Sequence, residues 1–206
     1  MKKIIDVCCG AKHFWFNKEN PLVEFCDKRY VEDIELCNGQ HISIKPSTIC
    51  DFKNLPFEDN TYSLVVFDPP HLIDKKETAW LVKKYGTLPK EWQEELKRGF
   101  LECWRVLKPN GTLIFKWNET EVPTSEIIKL FGIKPILGHK SGKRMNTNWL
   151  VYFKAEEVSE NEDIPIEWIE NWKRGKTSIE QVVADKIMMD YKHRDYWEKE
   201  NETNRR

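Results

Sequence analysis

Six short apolar runs, separated by longer polar or helical stretches, constrain the fold of this 206-residue chain more than any other feature. The runs span residues 3–8, 22–26, 47–50, 62–67, 111–117 and 148–153. Each is short and rich in Val, Ile, Leu or aromatic residues, as buried strands are. Their alternation with helical stretches predicts an α/β protein with a doubly wound, mostly parallel sheet of about six or seven strands.

Two helices are predicted between these strands. Over Pro89–Leu107, apolar side chains recur every three or four residues, which indicates an amphipathic helix. Lys108–Gly111 then supplies turn-forming residues that would end it. A shorter helix is expected over Thr124–Leu130.

Composition changes near residue 155 and suggests two parts. Residues 1–154 are predicted to form the catalytic domain, and residues 155–206 an acidic, mainly helical extension. The extension's apolar stripe could pack on the core, which is favoured, or form a homodimer. A mildly basic body, in a chain whose net charge is −1, is compatible with a polyanionic partner.

Several protein classes are excluded by composition. No apolar run is long enough to span a membrane, so no membrane partner is expected. The six cysteines include no C-x-x-C pair, and no metal site is expected. Asp6 interrupts any signal sequence, and free thiols fit a reducing compartment, so the prediction is a cytoplasmic protein.

Candidate ligand-binding residues follow the first three strands. In open α/β sheets the ligand lies beyond the carboxyl ends of the strands. The first strand ends in a small turn with a single glycine, and the acid after the second strand could accept hydrogen bonds from ribose hydroxyls. The candidates for cofactor binding are Asp6, Cys8, Cys9, Gly10, Phe14, Asp27, Asp51 and Phe52, together with Asp68 after the fourth strand.

The most specific signal is Asp68-Pro69-Pro70-His71, directly after the fourth strand. Two prolines remove two backbone donors and stiffen the loop, which leaves the Asp68 carboxylate and the Pro69 carbonyl as acceptors. A rigid pair of acceptors suits a donor-rich amino group. His71 adds a planar side chain that could stack on a flat ring.

This motif resembles the D-P-P-[YFW] motif of amino-methyltransferases that use S-adenosylmethionine. Residues 3–154 are similar to the class I, Rossmann-like methyltransferase pattern: Asp6 to Gly10 stands at the first cofactor motif, Asp27 at the ribose acid and Asp51-Phe52 at the adenine edge. Residues 107–113 (LKPNGTL) resemble the family's turn before the fifth strand. Together with Lys116-Trp117-Asn118, the motif also resembles small phage and prophage methyltransferases.

The resemblance implies S-adenosylmethionine as cofactor and an amino group, adenine N6 of DNA or RNA first, as acceptor. Asp68, Pro69, Pro70 and His71 would then hold the target amine. A flipped base would need contacts around it, and a basic segment before the last strand could hold phosphates. The candidates for substrate binding are His71, Trp80, Tyr85, Lys140, Lys143 and Arg144.

Alternative functions remain open on the sequence. The acceptor could be a small molecule or a protein amide, with the same cofactor. The chain could also be a non-catalytic nucleotide-binding or assembly module. A dehydrogenase is disfavoured because the G-x-G-x-x-G fingerprint is absent.

Overall fold

The computed structural model describes residues 2–35, 39–76, 78–141 and 146–156. Within them the chain forms nine strands and three helices. The strands are β1 (Ile4–Asp6), β2 (Val23–Asp27), β3 (Val31–Glu35), β4 (His41–Ile44), β5 (Thr48–Ile49), β6 (Tyr62–Phe67), β7 (Leu107–Asn118), β8 (Leu137–Ser141) and β9 (Thr147–Lys154). The helices are α1 (Trp80–Tyr85), α2 (Trp92–Val106) and α3 (Thr124–Phe131). The predicted C-terminal helices and their homodimer lie outside the described residues.

Seven of these strands form one mostly parallel sheet, in the order β5-β2-β1-β6-β7-β9-β8. The first five strands of that order run parallel, and β9 runs antiparallel to both β7 and β8. This confirms the predicted fold class and strand number. The chain leaves β1 towards β2 on one side and places β6 on the other, so the strand order switches beside β1.

Helix α2 packs on the sheet through the periodic face that the sequence predicted. Its buried residues are Trp92, Leu96, Gly99, Phe100, Cys103 and Val106. Gly99 allows the closest approach, since a Cβ atom there would lie 2.7 Å from Phe52 Cε2 and 3.0 Å from Phe67 Cζ. The helix thus presses directly on aromatic side chains beneath the carboxyl edge of the sheet.

The start of β7 differs from the prediction. The helix was expected to include Leu107 and the strand to begin at Gly111, but β7 begins at Leu107. Its pairing with β6 shifts register between Leu107 and Thr112, and Asn110 has a positive φ of 59°. The predicted turn chemistry is therefore present, as an irregularity within the strand.

The segment between β1 and β2 contains no helix. Residues 7–22 form turns and bends instead. The Asn17 and Asn20 side chains accept backbone hydrogen bonds two residues on, which competes with helix formation. Phe16, in the same segment, is fully exposed.

Three strands, β3, β4 and β8, were not predicted from the sequence. Strands β3 and β4 form a separate two-stranded antiparallel sheet. Strand β8 includes Lys140, which was expected in a loop. β8 is almost entirely exposed and is held by pairing with β9, so it carries no apolar pattern to detect.

Candidate functional site

An open cavity of about 220 Å³ lies at the carboxyl edge of the parallel strands, beside the switch in strand order. It is bounded by the loops after β1, β2 and β6, by the end of α1 and by β7. The predicted site residues that line it are Cys8, Cys9, Gly10, Phe14, Asp27, Phe52, Asp68, Pro69, Pro70, His71 and Tyr85. The fold therefore brings most of the predicted residues into one place.

The loop after β1 brings its backbone to the cavity. Gly10 has a positive φ of 47°, and nothing lies within 4 Å of the position a Cβ would occupy. Cys9 N–H donates to the Cys26 carbonyl at 2.8 Å, and Gly10 N–H donates to Asp27 Oδ2 at 3.0 Å. These two bonds anchor the loop to β2 and leave its outer face towards the cavity.

Asp6 supports this loop from beneath and is absent from the cavity lining. Its buried carboxylate accepts hydrogen bonds from Trp15 Nε1 at 2.8 Å and from the Cys8 N–H at 3.3 Å. Burial raises the pKa of Asp6 to about 7, against an ordinary value of 3.8. The predicted direct contact with a cofactor is therefore corrected to a structural role.

Asp27 lines the cavity, but its carboxylate already accepts hydrogen bonds from within the protein. Its Oδ1 accepts from the Arg29 backbone N–H at 3.0 Å and from Arg29 Nε at 3.1 Å. Its Oδ2 accepts from Gly10 N–H and from Arg29 Nη2 at 3.3 Å. These four donors fill the acceptor capacity of a carboxylate. Ribose hydroxyls could bind Asp27 only by replacing the Arg29 side chain.

Asp51 and Phe52, predicted to lie at the adenine edge, differ in their surroundings. Phe52 is largely buried, lines the cavity and packs against Phe67 with ring centroids 5.5 Å apart. Asp51 is absent from the lining, and its Oδ1 accepts the Lys53 N–H at 3.0 Å. Asp51 therefore shapes the turn after β5, and of this pair only Phe52 lines the cavity.

Asp68, at the carboxyl end of β6, forms an ion pair with Lys116 of β7. Lys116 Nζ donates to both carboxylate oxygens, at 3.1 Å and 2.9 Å. Burial raises the pKa of Asp68, and the Lys116 ammonium opposes that rise. Lys116 thus favours the ionised carboxylate in a largely buried position.

The two prolines and His71 complete one wall of the cavity. Pro70 packs close to Gly86, where a Cβ atom would lie 3.1 Å from Pro70 Cγ. The ring of His71 lies beside that of Tyr85, with centroids 6.2 Å apart. Burial, and then the charge of Lys116, lowers the pKa of His71, which favours the neutral form of its ring.

Two predicted substrate residues lie away from the cavity, and two others are not among the described residues. Trp80 is exposed at the start of α1 and does not line the cavity. Lys140, on β8, pairs with Glu119 at 2.6 Å and is also absent from the lining. Lys143 and Arg144 lie outside the described residues.

Several cavity residues were not assigned a role from the sequence. Three of them are basic side chains that follow β2 or lie on α1: Lys28, Arg29 and Lys84. Lys116 had been quoted only as part of the resemblance. Strand pairing would have predicted the place of Lys116. Phe115 pairs with Phe67, and the residues that follow them are Lys116 and Asp68. The register of β6 and β7 thus places Lys116 beside Asp68 at the carboxyl ends of neighbouring strands.

The described residues contain neither a metal-binding cluster nor a membrane-spanning helix. Across the described ranges, no group of three or more His, Cys, Asp or Glu side chains could hold a metal ion. None of the helices described is both long and apolar enough to cross a membrane.

The comparisons with known proteins concern the fold. No protein-family model matches the sequence, and a search of curated proteins gave no significant match. A solved structure from Pyrococcus horikoshii aligns over 75% of this chain and 82% of that one, at 17% identity and a TM-score of 0.46. The N-methyltransferase NodS from Bradyrhizobium japonicum aligns over 75% and 86%, at 12% identity and a TM-score of 0.47. A SAM-dependent methyltransferase from Methanosarcina mazei aligns over 75% and 93%, at 13% identity and a TM-score of 0.45. Two of these three solved structures are methyltransferases by name, each at 13% identity or less.

Proposed function

We propose that this chain is an S-adenosylmethionine-dependent amino-methyltransferase whose acceptor is a nucleic acid, with adenine N6 of DNA or RNA as the target amine. The observation that carries the proposal is the composition of one cavity. Asp27 and Phe52, expected at a nucleoside cofactor, line the same cavity as the acceptor loop Asp68–His71. A transfer reaction needs such an arrangement, because donor and acceptor must meet in one place.

The cavity offers partners that fit the cofactor. The Gly10 loop presents backbone with open space around it, and Phe52 offers an apolar surface to a base. Asp27 would accept the ribose hydroxyls once they replace the guanidinium of Arg29. When bound, the cofactor supplies an electrophilic methyl group on a sulfonium.

The acceptor wall supplies what an aromatic amine needs. The lone pair of such an amine is delocalised into its ring, so the amine is a poor nucleophile. Hydrogen bonds from the amine to the Asp68 carboxylate and the Pro69 carbonyl would help to localise it. The ring of His71, beside Tyr85, offers a stacking surface for a flat base.

The charges around the cavity favour a polyanionic acceptor. Four cations line it, namely Lys28, Arg29, Lys84 and Lys116. Arg29 and Lys116 are paired with Asp27 and Asp68, respectively. Lys28 and Lys84 have no carboxylate partner among the described contacts and could bind phosphates. A base within a duplex would have to leave the stack to reach Asp68.

The test is transfer of labelled methyl from S-adenosylmethionine to unmodified DNA, RNA and protein, followed by nucleoside and amino-acid analysis. The proposal predicts label in N6-methyladenine. Label in a protein amide or in a small molecule would support the second candidate acceptor class instead. Absence of transfer together with absence of S-adenosylhomocysteine binding would leave a non-catalytic module.

A further inference from the structure

The Asp68 carboxylate, which the proposed function assigns to the target amine, is held by a cation of the same chain. Lys116 Nζ lies 3.1 Å and 2.9 Å from its two oxygens. Both side chains are largely buried, with 21% of Lys116 and 19% of Asp68 exposed. The ammonium also carries a full positive charge, so it gains a Coulombic attraction to the carboxylate that a neutral amine lacks. A target amine is therefore the weaker competitor for Asp68.

The same cation also opposes the proposed chemistry. As an amine attacks a methyl group, positive charge develops on its nitrogen. An ammonium already bonded to Asp68 would repel that charge at short range in a largely buried place. A productive complex thus favours a position of Lys116 away from Asp68.

Two aromatic rings beside Lys116 could keep contact with its ammonium in such a position. Lys116 Nζ already lies 4.8 Å from the centroid of the Phe14 ring and 5.8 Å from that of Trp149. These two rings pack edge to face, with centroids 5.1 Å apart. The flexible stem of a lysine lets its ammonium swing while it keeps an aromatic contact.

Other basic groups point to an anion at this place. His13, which lines the cavity with Phe14, has its pKa lowered by burial and by the charges of Lys84, Lys18 and Lys116. Lys84 of α1 and Lys116 of β7 both line the cavity together with His13. An acceptor anion there would meet several cations and would compete with Asp68 for Lys116.

We propose that Lys116 is an acceptor-specificity residue: a phosphate beside the target base draws its ammonium away from Asp68 and so frees the carboxylate for the target amine. The inference rests on the proposed function and extends it. It makes phosphate recognition a condition for access to Asp68, so that nucleosides and other uncharged amines are rejected.

The experiment compares two short single-stranded oligonucleotides, each with one adenine. In one, the phosphates flanking the adenine are replaced by neutral methylphosphonates, and in the other, methylphosphonates lie at remote linkages. Binding is measured by fluorescence anisotropy and methyl transfer as kcat/KM. For the wild type we expect flanking methylphosphonates to lower kcat/KM at least about tenfold more than remote ones.

The variant Lys116→Met is expected to lose this discrimination. It should bind and methylate the oligonucleotide with flanking methylphosphonates as well as the one with remote methylphosphonates. Lys116→Arg keeps the cation and should keep the discrimination. Lys129→Met removes an exposed lysine from α3 and serves as the matched control. If Lys116→Met does not fold, binding of the two oligonucleotides is measured instead in the double variant Asp68→Asn/Lys116→Met. This variant leaves no unpaired carboxylate at position 68.

Two results would overturn the inference while the proposed function stands. One is equal use of both oligonucleotides by the wild type. The other is unchanged discrimination in Lys116→Met or, if that variant does not fold, in the binding of the double variant. If neither oligonucleotide is bound or methylated, the proposed function fails, and the inference with it.

Discussion

The two carboxylates that face the cavity are each paired with a basic residue. Asp27 is held by Arg29 and Asp68 by Lys116. Breaking a largely buried ion pair is costly unless a new partner replaces the lost one. Each carboxylate is therefore available only to a ligand that supplies donors in place of the cation. The proposed selectivity of the site therefore depends on replacing Arg29 at Asp27 and Lys116 at Asp68 with donors of the ligand.

His71 occupies the position at which the D-P-P-[YFW] motif has Tyr, Phe or Trp. This position leads to a prediction about base stacking. The lowered pKa of His71 favours the neutral form of its ring, which lies beside Tyr85. We expect His71→Ala to reduce kcat/KM for the adenine acceptor by roughly tenfold or more, since base stacking on an aromatic ring contributes about 1–3 kcal/mol. His71→Tyr should retain activity. Equal activity of the alanine and tyrosine variants would contradict a stacking role.

Asp6 predicts a pH dependence of stability. Its pKa of about 7 means that the folded protein keeps a proton between about pH 4 and pH 7, where the unfolded chain has released it. The unfolded state then binds fewer protons, so the free energy of unfolding falls as pH rises, by up to about 1.4 kcal/mol per unit from this group.

Asp6→Asn should remove this component. Urea unfolding of both proteins at pH 5 and pH 8 measures it. The advantage of the wild type over the variant should be smaller at pH 8. A difference between the two proteins that is the same at both pH values would argue against a buried, protonated Asp6.

The sequence located individual site residues only where a strand pattern preceded them. Asp27 and Asp68 follow apolar runs and could be placed in the cavity from the order of strands. Asp6 ends β1 and Asp51 follows β5, but their side chains accept hydrogen bonds from backbone N–H groups two residues on. Periodicity does not report that choice, because it depends on hydrogen bonds made after the strand has ended.

Among the elements, α2 couples the core to the cavity. Gly99 lets this helix approach Phe52, which packs on the core and lines the cavity. Gly99→Ala is expected to lower the free energy of unfolding by about 1–3 kcal/mol, because the added methyl group overpacks the contact.

The same substitution should also weaken S-adenosylhomocysteine binding by displacing Phe52. Lys97→Ala, at an exposed position of the same helix, is the matched control. Thermal unfolding and isothermal titration of both variants measure the two effects. If Gly99→Ala were as stable as Lys97→Ala, the close approach would not limit packing.

Elements with a buried face were predictable, and exposed elements were not. The strand β6 and the core of α2 follow from runs and spacings of apolar residues that the structure buries. Strands β3 and β8 expose most of their side chains, so only backbone pairing marks them as strands. Their sequences show no period that separates them from loops.

For the molecule as a whole, the described fold lies within the compact unit Met1–Glu156. The cavity and the sheet lie within this unit. We therefore expect a chain of residues 1–156 to fold cooperatively and to bind S-adenosylhomocysteine with the affinity of the full chain. Circular dichroism and isothermal titration measure this. Insoluble or unfolded protein would show that residues 157–206 are required for the fold.

The most direct test of the account compares the wild type with Asp68→Ala. The rate of N6-methyladenine formation on unmodified nucleic acid is measured for both at saturating S-adenosylmethionine, with S-adenosylhomocysteine affinity as a check on the fold. The account predicts that Asp68→Ala loses at least about 100-fold in rate while cofactor affinity changes little. An Asp68→Ala protein that forms N6-methyladenine at the wild-type rate would contradict it.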